Sequence, residues 1–411
     1  MTDEYYIKRT LRLAAKAHGM TSPNPMVGAV LIKSGRILSE DFHRKAGTPH
    51  AEALAIAKAG DKARGSTLYV SLEPCCHTEK RTPPCTKAII SAGIKEVVIA
   101  MKDPNPHVAG MGIAELQRAG IEVRSGILED RAQRLNEAYI KYITTGKPFV
   151  ILKIAMTLDG KIATPEGQSQ WITGEKARKL VHRLRSSVDA VMTAIGTVKS
   201  DDPQLTARFR GSKNPTRIVI DPNLEIPLNA NVLKMPPETI IVTRGIDDKA
   251  VGLKEDIEIS NPPIRPILKG AESISPLLKS PPSIPPLLKG GKGGLLKSSF
   301  EEKLNHLTQS GIKFIEFQEK LDLQWLMEQL GKRHFTSLLI EGGSSLNAHA
   351  LEDGIVDKVM LFIAPKIIGG KDSYPAVGGR TFRRLEEAYR LKNIGIKRIG
   401  DDLLIEGYVQ Y

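Results

Sequence analysis

His50-Ala51-Glu52, Pro74-Cys75-Cys76-His77 and Cys85 form a stretch that holds every cysteine of a 411-residue chain, together with histidine and glutamate. One histidine and two thiolates are a borderline-soft ligand set that suits zinc, and three protein ligands leave a fourth tetrahedral position for water. Such a site is catalytic. A structural site would need a closing fourth ligand, which Cys76 or His77 could supply. Cys75 and Cys76 are adjacent, so only one is expected to face the metal. Cys75 directly follows Pro74 and is the expected ligand, beside His50 and Cys85. Glu52, two residues after the histidine, is placed to carry protons to and from the water.

The residues around this stretch set the fold. Thr48-Pro49-His50 leads into the Ala-rich run 51–59, which ends at Gly60 and predicts a helix. A strand over 67–72 precedes Glu73-Pro74, and Thr82-Pro83-Pro84-Cys85 opens a helix over 86–92, with prolines where a first turn tolerates them. All three ligands are thus expected at helix beginnings, where backbone N–H groups favour thiolate over thiol. Upstream, residues 4–18 predict an amphipathic helix, and Pro23 and Pro25 force extended backbone around Asn24 before an apolar strand. A second strand should end near His43. Downstream come a strand over 96–100, a helix over 113–119, a strand over 121–123 and one helix over 129–143. This alternation predicts an α/β sandwich over residues 1–145.

Residues 144–148 read as a linker, and a second α/β unit is expected over 149–411. Its strands fall at 149–156, 189–194, 217–220, 239–242, 313–316, 335–340, 358–364 and 403–408, with helices at 175–186, 300–309, 321–330 and 346–351. It has no Gly-x-Gly-x-x-Gly after a strand, so a Rossmann cofactor site is unsupported. Glu341-Gly342-Gly343-Ser344-Ser345 at a strand-to-helix turn suits close approach of backbone N–H groups to a phosphate. Residues 261–299 differ from everything around them. Pro266, Pro276 and Pro286 each start an apolar-lysine motif at a period of ten, and proline-broken decamers without strand or helix period cannot bury a face. A surface-loop insertion is expected there.

Three clustered cysteines argue for a reducing compartment rather than disulfides. No apolar run approaches a membrane span, and Met1-Thr2-Asp3-Glu4-Tyr5-Tyr6 lacks the basic and apolar regions of a signal peptide, so a cytoplasmic protein is expected. Of the net charge of +13, residues 261–299 contribute five, from six basic residues against Glu272. The remainder, spread over two domains, suits phosphorylated small molecules at least as well as a polynucleotide. Aromatics make up only 5% of the chain, which tells against a stacking platform for single-stranded nucleic acid.

His50-Ala51-Glu52, Leu72-Glu73-Pro74-Cys75-Cys76-His77, Arg81-Thr82-Pro83-Pro84-Cys85 and Asp103-Pro104-Asn105-Pro106 together resemble the deaminase half of the bifunctional deaminase/reductases of riboflavin biosynthesis, in the cytidine-deaminase-like superfamily. Leu152 to Lys161, Ser169-Gln170-Trp171-Ile172-Thr173, Gly196 to Pro203, Leu339 to Gly343 and Ala364-Pro365-Lys366 look like the reductase half, with a dihydrofolate-reductase-like fold. The resemblance implies zinc-dependent release of ammonia from a GTP-derived pyrimidinone ribosylamino phosphate, with Glu52 as proton shuttle. Asn24, His43 and His77, with Lys80 and Arg81 at the phosphate, would hold that substrate. Taken alone, Asn24, His43 and His77 would be surface polar residues. The resemblance further implies NADPH-dependent reduction of the ribosyl chain to ribityl. Ala155, Trp171, Thr197, Asp201, Gly343, Ser344, Ser345 and Leu346 fall at the cofactor, and Ser169, Arg185, Leu205, Arg208 and Glu341 at the substrate. Alone, Arg185 reads as a solvated helix face and Trp171 as core. The step from Cys75 to Cys85 is one residue longer than the family's usual spacing, which bears on Lys80 and Arg81. Expected partners are the phosphorylated pyrimidine and further copies of the chain in a homo-oligomer, with no nucleic acid and no membrane.

Two other readings compete. A tRNA adenosine deaminase shares the zinc motif and suits a basic chain, but it accounts only for the first 145 residues. An interaction protein acting through the Pro- and Lys-rich segment would make both sites incidental.

Overall fold

The computed structural model describes residues 1–77, 83–106, 108–245, 292–379 and 384–411. Lys80, Arg81 and most of the Pro- and Lys-rich segment lie outside the described residues.

The N-terminal domain runs α1 (Asp3–Ala14), β1 (Gly28–Lys33), β2 (Arg36–Phe42), α2 (Ala51–Ala59), β3 (Thr67–Val70), α3 (Cys85–Ser91), β4 (Glu96–Ile99), α4 (Met111–Arg118), β5 (Glu122–Ser125), α5 (Glu129–Leu135) and α6 (Glu137–Thr145). Its sheet has the order β2-β1-β3-β4-β5. β1 is antiparallel to both neighbours, and β3, β4 and β5 are parallel. Ala29, Val30, Leu31 and Ile32 are all buried although alternate side chains point to opposite faces, so helices cover both sides. Gly28 lets α1 lie directly on β1: a Cβ there would sit 2.1 Å from the Thr10 carbonyl oxygen.

The single helix expected over 129–143 is instead two, broken at Asn136. The reason is a competing pair of hydrogen bonds. Buried Asn136 accepts from the Met26 backbone N–H at 2.8 Å through Oδ1 and donates to the Met26 carbonyl at 3.1 Å through Nδ2. Its side chain thereby pins the chain just ahead of β1.

The C-terminal domain runs β6 (Phe149–Thr157), β7 (Lys161–Ala163), α7 (Glu175–Ser187), β8 (Ala190–Ala194), α8 (Ile195–Asp201), β9 (Thr216–Ile220), β10 (Thr239–Arg244), α9 (Lys292–Gln309), β11 (Lys313–Phe317), α10 (Leu323–Lys332), β12 (Ser337–Ile340), α11 (Ser344–Glu352), β13 (Lys358–Ala364), β14 (Tyr374–Pro375), β15 (Arg390–Ile399) and β16 (Asp402–Gln410). Nine strands form one sheet, β11-β10-β9-β8-β12-β6-β13-β16-β15. It is parallel from β11 to β13 and antiparallel through β16 and β15. Val150, Leu152 and Ile154 enter one core while Phe149 and Ile151 enter another, so each face of the sheet carries its own apolar layer.

Five elements differ from expectation; β7 and β14 form a short two-stranded pair of their own that no apolar run announced, and the other three have plainer reasons. α9 starts at Lys292 rather than at residue 300, because the chain after Pro286 has no proline to stop it. α8 was not expected, since Gly196 and Thr197 are weak helix formers; packing against β8 overrides propensity. β15 escaped because a bulge between Lys392 and Gly395, with Asn393 at φ +53°, breaks its alternation.

The two domains meet through polar contacts. Lys141 pairs with Asp357 at 2.6 Å, the Tyr408 hydroxyl donates to Glu137 at 2.5 Å, and Lys358 reaches the same glutamate at 3.3 Å. Gly331 of α10 lies so close to the linker that a Cβ would meet the Gly146 carbonyl oxygen at 1.7 Å. Among the described residues no helix is long and apolar enough to cross a membrane.

Candidate active sites

His50 is the N-cap of α2, with extended backbone, and Cys85 is the first residue of α3. Cys75 is not at a helix start, contrary to expectation: it lies in the irregular segment after β3, because Pro74 and the clamp described below hold that segment out of helix. The three still converge. His50 Nδ1 is 3.6 Å from Cys75 Sγ and 3.2 Å from Cys85 Sγ, and all three ligand atoms lie within 4.8 Å of one another. Tetrahedral zinc with bonds of about 2.0–2.3 Å spans its ligand pairs by roughly 3.3–3.8 Å, so these residues fit that ion. The Cys85 N–H points at Cys75 Sγ at 3.4 Å, which favours a thiolate there. Cys76 is half-buried and outside the cluster, and burial pushes its thiol pKa up.

Glu52 lies in the first turn of α2 with 3% of its surface exposed. Its Oε2 is buried without a hydrogen-bond partner among the described residues. Burial drives the carboxyl pKa up, and the nearby His50 pulls it partly back. A carboxyl group that readily holds a proton is what a shuttle requires.

Glu73 went unread in the sequence, yet it fixes the site. Its buried carboxylate accepts backbone N–H groups from Asp103 at 3.1 Å, Gly110 at 3.0 Å and Ile113 at 3.1 Å. Gly112 then abuts Pro74, where a Cβ would be 2.1 Å from the carbonyl oxygen. The signal was an acid at the end of an apolar strand, immediately before Pro-Cys. His43 is buried, 3.3 Å from the Asn24 amide through Nε2 and 3.3 Å from the Pro49 carbonyl through Nδ1, and its ring stacks edge-on with His50 at 5.1 Å. Asn24 and His77 are half-buried.

The second site is a cavity of about 1050 Å³ at the carboxyl ends of β6, β8 and β12. β12 is inserted between β6 and β8, and ligands of open α/β sheets collect at such reversals of strand order. Ala155, Trp171, Thr197, Asp201, Gly343, Ser344, Ser345, Leu346, Ser169, Arg185, Leu205, Arg208 and Glu341 all line it. Arg185 is not a solvated residue: it donates to Glu341 at 2.5 and 3.0 Å, and Lys153 reaches the same carboxylate at 3.4 Å. Burial would raise the Glu341 pKa, but Arg185 and then Lys153 hold it down at about 2. Lys153 was also overlooked, although a lone charge in the apolar strand 149–156 was a legible cue. Trp171 is not core: it is 62% exposed, with the Arg178 guanidinium 4.6 Å above its ring. Ser169 donates to Asp201 at 3.0 Å, joining a residue expected at the substrate to one expected at the cofactor. Leu205 is buried at φ +53°, a strained conformation for a residue with a Cβ.

A three-ligand metal cluster beside a buried carboxylate, followed by a separate large sheet-end cavity, is the layout of a two-domain α/β enzyme with a hydrolytic metal site and a second ligand site. Residues 1–101 match the cytidine and deoxycytidylate deaminase zinc-binding region, and residues 148–268 and 290–405 match the RibD C-terminal domain. The riboflavin biosynthesis protein RibD of Aquifex aeolicus is 40% identical over 98% of this chain and 97% of its own length. That of Escherichia coli strain K12 is 35% identical over 98% and 99%. Among solved structures, RibD of Acinetobacter baumannii aligns with TM-score 0.79 at 32% identity, covering 100% of this chain and 99% of that one. A Thermotoga maritima diaminohydroxyphosphoribosylaminopyrimidine deaminase/5-amino-6-(5-phosphoribosylamino)uracil reductase gives 0.76 at 32%, covering 99% of each. The chain belongs to the RibD family of riboflavin-biosynthesis deaminase/reductases. A nucleic-acid deaminase would leave residues 148–405 without a role, and that reading is set aside.

Proposed function

We propose that this chain removes ammonia from the diamino-pyrimidinone ribosylamino phosphate in its first domain and reduces the ribosyl chain to ribityl in its second. The observation that carries the reading is the convergence of His50, Cys75 and Cys85 beside the buried carboxylate of Glu52. His50, Cys75 and Cys85 would hold zinc, which supplies Lewis acidity to activate water for attack on the amino-bearing ring carbon. Glu52 takes the proton from that water and delivers it to the departing amine, so one carboxyl group serves both halves of the hydrolysis. Asn24, His43 and His77 orient the ring and ribose, with Lys80 and Arg81 assigned to the phosphate.

In the second domain, NADPH would supply the hydride for the sugar carbon C1′. Ser344, Ser345 and Leu346 open α11 at the cavity wall, and a helix start there suits a dinucleotide phosphate. Thr197, Asp201, Ala155 and Trp171 complete the cofactor side. Glu341 fixes Arg185 and Lys153 in the cavity, while Arg208, exposed at the rim, is placed to meet the substrate phosphate.

We place the domains at 1–145 and 149–411, with the insertion expected at 261–299 narrowed to the span before α9; the unmatched gap at 269–289 in the family match supports this. Three cysteines without a disulfide suit a reducing, cytoplasmic setting, and exposed Ile394 and Ile396 on β15 suit a homo-oligomer. The test is to incubate zinc-loaded protein with the substrate, with and without NADPH, following ammonia and NADPH absorbance. Ammonia release in both samples, and NADPH oxidation following it, is expected. Neither signal would sink the proposal.

A further inference from the structure

We infer that the reductase domain builds part of the deaminase site, by seating the loop that carries Asn24 in a cradle of Ser186, Asp189, Lys213 and Thr336. The inference rests on the deaminase reading of the first domain. Ser22, two residues before Asn24, donates its hydroxyl to Asp189 Oδ2 at 2.7 Å and lies 3.2 Å from the Thr336 hydroxyl. Lys213 donates to the Gly19 carbonyl at 3.2 Å while its ammonium stands 3.5 Å from Asp189 Oδ1. Gly19, at φ +74°, approaches the end of α7 so closely that a Cβ would lie 2.2 Å from the Ser186 carbonyl oxygen.

The cradle is itself rigid. Asp189 Oδ2 also accepts from the Thr336 N–H at 2.9 Å and hydroxyl at 2.8 Å, and the Asp189 N–H donates to Ser337 at 3.0 Å, locking the entrances of β8 and β12 together. On the other side of the loop, the Asn24 N–H donates to the Thr21 carbonyl at 2.7 Å and Met26 is gripped by Asn136. The segment between these anchors is short. A shift at Ser22 therefore reaches the Asn24 amide, which lies beside His43 and through it beside His50. Ser22 and Asp189 touch neither metal ligands nor the reductase cavity in these contacts. They act as positioning residues through Asn24, and their removal should weaken substrate binding without disturbing the metal or the proton shuttle.

The test compares the zinc-loaded full-length wild type with Ser22→Ala, Asp189→Asn and the double variant. Deaminase KM and kcat are read from ammonia release, zinc content by elemental analysis, and hydrogen exchange over residues 19–27. The expected result is a five- to tenfold rise in KM in each single variant, of the order that loss of one ordinary hydrogen bond gives. The double variant should show no further rise. kcat and zinc content should be unchanged, and exchange should be faster over 19–27. Ser22→Ala should reduce pre-deaminated substrate at the wild-type rate, which controls for folding of the reductase. Unchanged KM in both single variants of an active protein would overturn the cradle, as would faster exchange with no change in KM, which is the mark of a merely structural contact. A wild type that releases no ammonia would instead overturn the deaminase reading on which the inference stands.

Discussion

The two sites are built in opposite ways. The proposed deaminase site takes its candidate ligands and proton carrier from residues 50–85, and the three ligand atoms lie within 4.8 Å of one another. The reductase cavity gathers residues from 153 to 374 across the ends of three strands and encloses about 1050 Å³. A site whose work is done by one ion tolerates almost no substitution at its ligands. A site that binds two extended molecules distributes the work, and each wall residue matters less.

The sharpest way to break that comparison is to remove a ligand. Cys85→Ser should abolish ammonia release and zinc retention while NADPH-dependent reduction of pre-deaminated substrate survives; elemental analysis with the two assays checks both statements. Glu52→Gln should keep zinc and lower the deamination kcat by about 10²–10⁴-fold, the range for loss of a general acid-base group. Glu341→Gln attacks the other site. It leaves Arg185 and Lys153 buried without their counter-charge and should lower stability by about 3–5 kcal/mol, read from denaturant unfolding.

The same glutamate gives a pH prediction. Its folded pKa of about 2 is below the unfolded value, so its contribution is fully present above the ordinary carboxylate range and is lost as pH falls from there toward 2. Wild type should therefore lose more stability than Glu341→Gln across that acid window. The smallest expected effect is that of Asn136→Ala, which frees the Met26 backbone groups and should destabilise the N-terminal domain by about 1–3 kcal/mol, with zinc retained.

How legible each region was follows from the same contrast. Metal-ligand chemistry is short in sequence and restricted to few residue types, so His50, Glu52 and Cys85 could be picked from residue type and spacing, and Cys75 over Cys76 from the proline before it. The reductase wall could be assembled only by resemblance, because Ala155, Thr197 or Leu205 carry no chemistry that marks them outside their fold. Strands with continuous apolar runs, such as β6 and β13, were readable; β15 was not, since an edge strand with a bulge satisfies neither pattern. Asn136 shows the limit of periodicity: a buried hydrogen bond to a distant backbone outweighed helical spacing. Glu73 and Lys153 were missed because their value lies in what they hold.

Glu73 also bears on the unusual distance between the two cysteines. It holds the segment carrying Cys75 from the 103–113 side, and Pro84 caps α3 directly ahead of Cys85, so each cysteine has an anchor outside residues 78–82. Anchors of this kind are what let a chain change the length between two ligands and still bring both to one ion.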